Sequence, residues 1–407
     1  MNRKQLTILI VLGVIIGGLG FYLLSRRSAS WQATEGSDRQ KILGEFPIND
    51  VAQLRIKQTA GELNLAYQDE IWRVKERWNY PANFTQISET LRKIWELKPV
   101  QDVKVGASQL HRLELLAPDK GTNSGTLVEM KDKSGKTIKS LLLGKKAVRK
   151  SGDASPFGGG DYPVGRYVMV PDKPNAVWVV NETFTDLEPK PEQWLNKDFF
   201  KVEKLKSISL VSTNATNSWK VSREMENGEL KLADKKENEE IDSAKLSGVG
   251  YALSSPSFND IVSPETKPEE IGLDKASVAT LETFENFTYT VRYAKKDEDN
   301  FYLTMAVSAD IAKERTPGKD EKPEDKEKLD KEFKEKRDKL EEKLKTEKAY
   351  EKWTYLVSKW TIDPLLKERK DFLIEKKDEP KTQDAATPAP TSSESPLIPP
   401  VPPIVPK

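Results

Sequence analysis

Apolar and polar residues alternate over short runs through most of the chain. Val51-Ala-Gln-Leu-Arg-Ile56, Glu62-Leu-Asn-Leu-Ala-Tyr67 and Ile71-Trp-Arg-Val-Lys75 come first. A period of two, rich in β-branched and aromatic residues, predicts half-buried antiparallel strands. The period then changes. From Thr85 to Lys98 the apolar residues Ile87, Leu91, Ile94, Trp95 and Leu97 fall on one face of a predicted helix. A short helical patch at Leu113, Leu115 and Leu116 precedes strands at Thr126–Met130, Thr137–Leu143, Gly165–Val170 and Ala176–Val180.

The same order then recurs. Strands are predicted at Lys206–Val211 and Ser218–Val221, a helix at Ile241–Leu253, and a helical patch at Glu269–Asp274. Further strands follow at Val278–Phe284, Phe287–Ala294, Phe301–Val307 and Lys352–Val357. Individual words match as well: Trp219-Lys-Val with Trp72-Arg-Val, and Lys370-Asp-Phe-Leu with Lys197-Asp-Phe-Phe. A repeat of this size is duplication of a whole domain, since solenoid units are far shorter. The expected fold class is α+β, with two duplicated units spanning 45–203 and 204–375. Each is an antiparallel sheet with one main helix.

Three segments break the pattern. Leu6 to Leu24 are nineteen residues without a charge. At a rise of ~1.5 Å they span about 28 Å, close to the ~30 Å hydrocarbon core of a bilayer. The run is too long for the apolar core of a signal peptide, so a single uncleaved transmembrane anchor is expected. It has a head at 1–5 and a linker at 25–44. Arg3 and Lys4 balance Arg26 and Arg27, and the short head favours a cytoplasmic N-terminus with the bulk exported. Gly13 and Gly17 form a GxxxG that could pair two such helices into a homodimer. From 313 to 348 the chain is almost wholly Lys, Glu, Asp and Arg, with Leu329, Phe333, Leu340 and Leu344 as its large apolar residues. From Glu324 onward this predicts helix, a solvated insertion supported by i,i+4 charge pairs. Residues 376–407 are rich in Pro, Ser and Thr and end Pro396-Leu-Ile-Pro-Pro-Val-Pro-Pro-Ile-Val-Pro-Lys407, which reads as disordered or polyproline II.

Composition narrows the chemistry. The chain of 407 residues has no cysteine, one histidine (His111), and 66 basic against 65 acidic residues. Thiol catalysis, cysteine zinc sites and iron–sulfur clusters are excluded, and neither a Ser-His-Asp triad nor a two-histidine zinc motif can be built. Near-zero net charge gives no reason to expect a nucleic acid. The glycines from Gly152 to Gly165 lack the Lys-Ser or Lys-Thr of a P-loop and read as a hairpin loop. No catalytic, cofactor-binding or metal-binding residue is assigned. The candidate contacts for a protein partner are Trp78 and Trp194, the tryptophans that stand outside the repeated strands.

Tyr80-Pro81-Ala82, Leu143-Gly144-Lys145, Gly165-Arg166-Tyr167-Val168 and Ile271-Gly272-Leu273, taken in order behind a basic head and one span, carry a family resemblance. They resemble the bacterial domain-of-unknown-function family 4340. The resemblance covers Met1 to about Glu375 and leaves out the charged insertion and the proline tail. It implies an inner-membrane protein with a periplasmic ectodomain, associated with ABC-type transporters related to gliding-motility systems, and it brings no catalytic residues. The reading is thus a non-enzymatic accessory subunit that binds protein partners. The alternatives are a carboxylate-based hydrolase of envelope polysaccharide and a ligand-binding module with an aromatic pocket between its units.

Overall fold

A computed structural model describes residues 40–149, 162–173, 176–233, 235–318 and 321–374. The predicted anchor with its Gly13 and Gly17, residues 152–161 of the glycine-rich stretch and the proline tail lie outside these residues, whereas Gly165 is described and lies in a strand. Among the described residues no helix is long and apolar enough to cross a membrane.

The first half of the chain forms β1 (Gln53–Gln58), β2 (Gly61–Gln68), β3 (Ile71–Val74) and β4 (Tyr80–Pro81), followed by helix α1 (Phe84–Trp95). Then come β5 (Gln101–Val103), β6 (Thr126–Lys131), β7 (Thr137–Arg149), β8 (Tyr162–Met169) and β9 (Val177–Val180). These nine strands make one sheet in the order β4-β3-β2-β1-β6-β7-β8-β9-β5. The second half begins with β10 (Leu205–Val211), β11 (Trp219–Ser222), β12 (Lys231–Leu232), α2 (Ser243–Gly248) and β13 (Asp260–Ile261). It continues with β14 (Ser277–Thr283), β15 (Phe287–Lys295), β16 (Asn300–Ala309), α3 (Pro323–Lys348), β17 (Tyr355–Ser358) and the single turn α4 (Lys359–Ile362). Its eight strands are ordered β12-β11-β10-β14-β15-β16-β17-β13. Neighbours pair antiparallel throughout.

The two orders are one plan. In each sheet the opening strand sits beside the second strand after the helix, β1 beside β6 and β10 beside β14. The short strand that follows the helix crosses to the far edge and pairs with the last strand. The closing segments match bond for bond. Asn83 N–H donates to the Trp194 carbonyl at 2.8 Å, and Asp242 N–H to that of Phe372 at 2.9 Å. Asn196 N–H reaches back to Pro81, and Ile374 N–H to Glu240. Asn83 and Asp242 also cap the helices that follow, each accepting backbone N–H bonds through its side chain.

This register corrects two matched words. Phe372 is the counterpart of Trp194, not of Phe199. Trp219 lies in the second strand of its sheet whereas Trp72 lies in the third, so they too are not equivalent. Similar words arise because both positions fill the same kind of core, not because they hold the same place. The second helix is also shorter than the expected Ile241–Leu253: α2 has six residues, followed by a 3-10 turn at Val249–Tyr251.

The strand alternation is written in burial. Leu54 and Ile56 of β1, Leu63 and Leu65 of β2, and Val128 and Met130 of β6 are buried on one face, where α1 adds Ile87, Leu91 and Ile94. The opposite face carries a charge ladder in which Arg55 bridges Glu62 at 2.6 Å and Glu129 at 2.8 Å. The Arg55 guanidinium holds the Glu62 carboxyl down to about 2. The glycines of two family motifs have steric reasons. A Cβ on Gly144 would lie 2.3 Å from the Leu113 carbonyl oxygen, and one on Gly165 would lie 2.0 Å from that of Val180.

The charged insertion is a docked helix rather than a free excursion. Leu329, Phe333, Leu340 and Leu344 are half-buried along one face of α3, and Leu340 and Leu344 pack against the main core. Near its C-terminal end Glu347 is only 5% exposed.

Candidate functional site

Three places on the molecule could carry function: a groove on the first repeat, the junction between the repeats, and the base of α3.

The groove, of about 820 Å³, lies between α1 and the β2–β3 hairpin. Its walls are aromatic. Tyr67 ends β2 and Trp72 begins β3, with their rings 5.9 Å apart and tilted by 57°. Phe84 opens α1 and is 64% exposed. It lies one turn ahead of Ile87, on the same stripe, where the helix overhangs the sheet. Ile48 and Leu91 complete the apolar lining, and Asn49, Ser88 and Lys133 supply hydrogen-bond donors. The hairpin is rigidly turned: Asp69 and Glu70 both have positive φ, the two-residue geometry that follows strand twist. The segment before β1 straps the far end of α1. Ile42 N–H donates to the Leu97 carbonyl at 2.9 Å, the Lys41 ammonium lies 2.9 Å from the centre of the Trp95 ring, and Trp95 Nε1 donates to Phe46. One groove wall, Ile48–Ala52, therefore continues directly from that strap.

The junction is filled. Tyr80 of β4 meets Phe258, Trp353 and Tyr355 from the second half edge-on, with centroids at 5.9, 5.1 and 6.4 Å. Phe199 of the connecting segment packs on Phe200, Phe258, Tyr350 and Tyr355. Burial pushes the phenols of Tyr80 and Tyr355 far above their ordinary value, so both stay neutral. At its edge Arg77 grips Asp260 through Nε at 2.6 Å and Nη2 at 2.8 Å. Lys197 donates to the carbonyls of Phe258 and Asn259. Among the described residues the rings at the junction pack on one another, as core residues do, where the ligand-binding alternative called for an aromatic-lined pocket.

At the base of α3 a smaller cleft of about 360 Å³ holds Glu203 and Glu347. Lys343, 2.6 Å away, holds the Glu203 carboxyl below its usual range. Burial raises that of Glu347. Both Glu347 oxygens are engaged: Oε1 accepts from Lys201 N–H at 3.0 Å and Oε2 from the Tyr289 hydroxyl at 2.7 Å.

Of the two tryptophans singled out from sequence, Trp78 is partly exposed, beside Arg77 at the lip of the junction. Trp194 is 0% exposed and its Nε1 donates to the Glu188 carbonyl, so it is a core residue and not a surface contact. It reads as exposed because it stands outside any strand, but the closing segment is buried by its backbone pairing with the strand before α1. His111 is exposed on a 3-10 turn. Phe84, Tyr251 and Trp360 escape a reading by strand alternation. The last two are 77% and 76% exposed on short helical turns, where no period marks the outward side.

The geometry is that of a duplicated antiparallel α+β chain with an aromatic-lined groove on its first repeat. The chain belongs to the family described as Domain of unknown function (DUF4340), whose profile matches residues 72–276. That stretch begins in β3 of the first sheet and ends just before β14 of the second, so it crosses the boundary between the repeats. No curated protein and no solved structure matches the chain.

Proposed function

We propose that this protein is a non-enzymatic, membrane-tethered binding scaffold of the bacterial envelope. It serves as an accessory subunit of an ABC-type transport or surface-assembly complex. The groove of Tyr67, Trp72 and Phe84 carries the proposal. A concave apolar lining with a few donors is what takes up a partner segment, and aromatic anchors dominate such contacts. One groove wall, Ile48–Ala52, follows directly in sequence the strap at 41–46, which lies in the first described segment after the expected anchor at residues 6–24. The bulk would be periplasmic and the N-terminus cytoplasmic.

The test is a photo-crosslinking amino acid in place of Phe84, activated in intact cells. The expected result is an adduct with one other membrane-complex subunit, lost when Tyr67→Ala is added. Adducts with lipid alone, or none, would sink the proposal. A second reading, hydrolysis by a carboxyl pair, is favoured by Glu203 and Glu347, whose pKa values are pushed apart within one cleft. Glu347→Gln separates the two readings: a hydrolase loses its activity, whereas the scaffold keeps the Phe84 adduct.

A further inference from the structure

We infer that in the absence of a partner the groove of the first repeat is occupied in cis by the chain's own segment Pro396–Lys407. The inference rests on reading that groove as the binding face.

The chemistry of the segment fits this groove and no sheet edge. Six of its twelve residues are proline. Each lacks the N–H that a ladder needs, so β-augmentation is closed to it. Proline-rich strands are recognised instead by ring faces that take the pyrrolidines and by side-chain donors that meet their unpaired carbonyls. The first-repeat groove offers both: the exposed rings of Tyr67 and Phe84, with Trp72 in the lining but itself buried, and Asn49, Ser88 and Lys133 as donors beside the carboxylates of Asp50 and Asp132. The other large groove, about 700 Å³ on the second repeat, does not. Its aromatic residues Tyr293 and Phe301 are buried at its floor, and its rim is lined by Lys275, Lys295 and Lys367.

Reach permits the contact. Ile374 is fixed on the second sheet by its bond to Glu240. Twenty-one residues separate it from Pro396. At ~3.1 Å each they span up to about 65 Å, and the segment's own twelve residues add about 37 Å, together more than the ~80 Å half-circumference of a folded body of roughly 330 residues about 50 Å across. A tether on this scale gives an effective concentration of about 1 mM, well above that of a second molecule at micromolar level. A groove affinity of only ~0.1–1 mM then fills the site to about half or more in cis. Removing the segment would raise apparent partner affinity roughly two- to tenfold.

The experiment uses the full-length protein, purified in detergent without partner, carrying the photo-crosslinker at Phe84. The expected product is an intramolecular link to a peptide within 396–407 at monomer mass, abolished when the six prolines are changed to serine. Those changes lie outside both sheets, and circular dichroism verifies that the fold is kept. A link to any other segment, a link found only in a covalent dimer, or no link overturns the inference. The partner adduct in cells is scored separately. If it persists at the same yield in the proline-to-serine chain, the scaffold stands and the cis contact falls. If it rises two- to tenfold, both stand.

Discussion

Glu347 is a carboxyl held where charge is costly. Burial raises its pKa above the ordinary 4.5, only partly offset by the bonds from Lys201 and Tyr289. A folded-state pKa raised above the unfolded one means a contribution that is complete below the unfolded value. It is lost as pH climbs through the folded one. Wild-type stability relative to Glu347→Gln should therefore be equal at about pH 4 and fall behind as pH rises toward neutrality, a trend that thermal unfolding across that window reads directly. Glutamine can keep the geometry. Its oxygen accepts from Lys201, and its amide donates to the Tyr289 oxygen, which turns its own proton to the Lys201 carbonyl 3.2 Å away. Glu347→Ala strands a buried N–H and a buried hydroxyl and should cost about 1–3 kcal/mol at about pH 4, a deficit that shrinks as the wild type loses stability toward neutrality. A difference between wild type and Glu347→Gln that stays constant from about pH 4 to neutrality would rule out this account.

At the scale of elements, α3 shows how far sequence alone could lead. A Lys/Glu run with four apolar residues in over thirty is correctly a helix, and its ends fall within a few residues of expectation. Its docking is not legible, because the bonds that hold it come from Lys201, Glu203 and Tyr289, distant in sequence and unremarkable in pattern. Strands β1, β2, β6 and β15 were legible to within two residues, since each buries one face and alternates accordingly, whereas the short strands β4, β5, β12 and β13 and the last six residues of β7 were not. Equivalence between repeats was not, because Phe199 and Phe372 sit in like words yet one fills the junction and the other closes a sheet. The groove lay half in view: Trp72 belongs to an obvious strand, while Phe84 extends a helical stripe by one turn past its support. The docking of α3 is graded: residues 323–328 are all exposed, whereas the last two turns hold Lys343 and Leu344 half-buried and Glu347 buried. Hydrogen exchange should protect the amides of 340–348 at least tenfold more than those of 327–335. Uniform exchange along the helix would show that its base is not anchored.

At the scale of the molecule, the two repeats share one continuous core, from Ile42 through Phe372. They should unfold in a single transition despite their separate sheets. Arg77 and Asp260, one from each repeat, are partly shielded from water. A double-mutant cycle with Arg77→Ala and Asp260→Ala should give a coupling of about 1–2 kcal/mol, read from urea midpoints. A coupling near zero would leave the rings alone to join the halves. The strap that precedes β1 adds a mechanical consequence. Tension entering from the N-terminal side first meets Lys41, Ile42 and Phe46 clamped on α1, and then β1, which is hydrogen-bonded on both edges to β2 and β6. Ladder bonds run perpendicular to the strands, so a pull along β1 loads them together instead of unzipping them one by one. The chain is built to be tugged from that end without giving way.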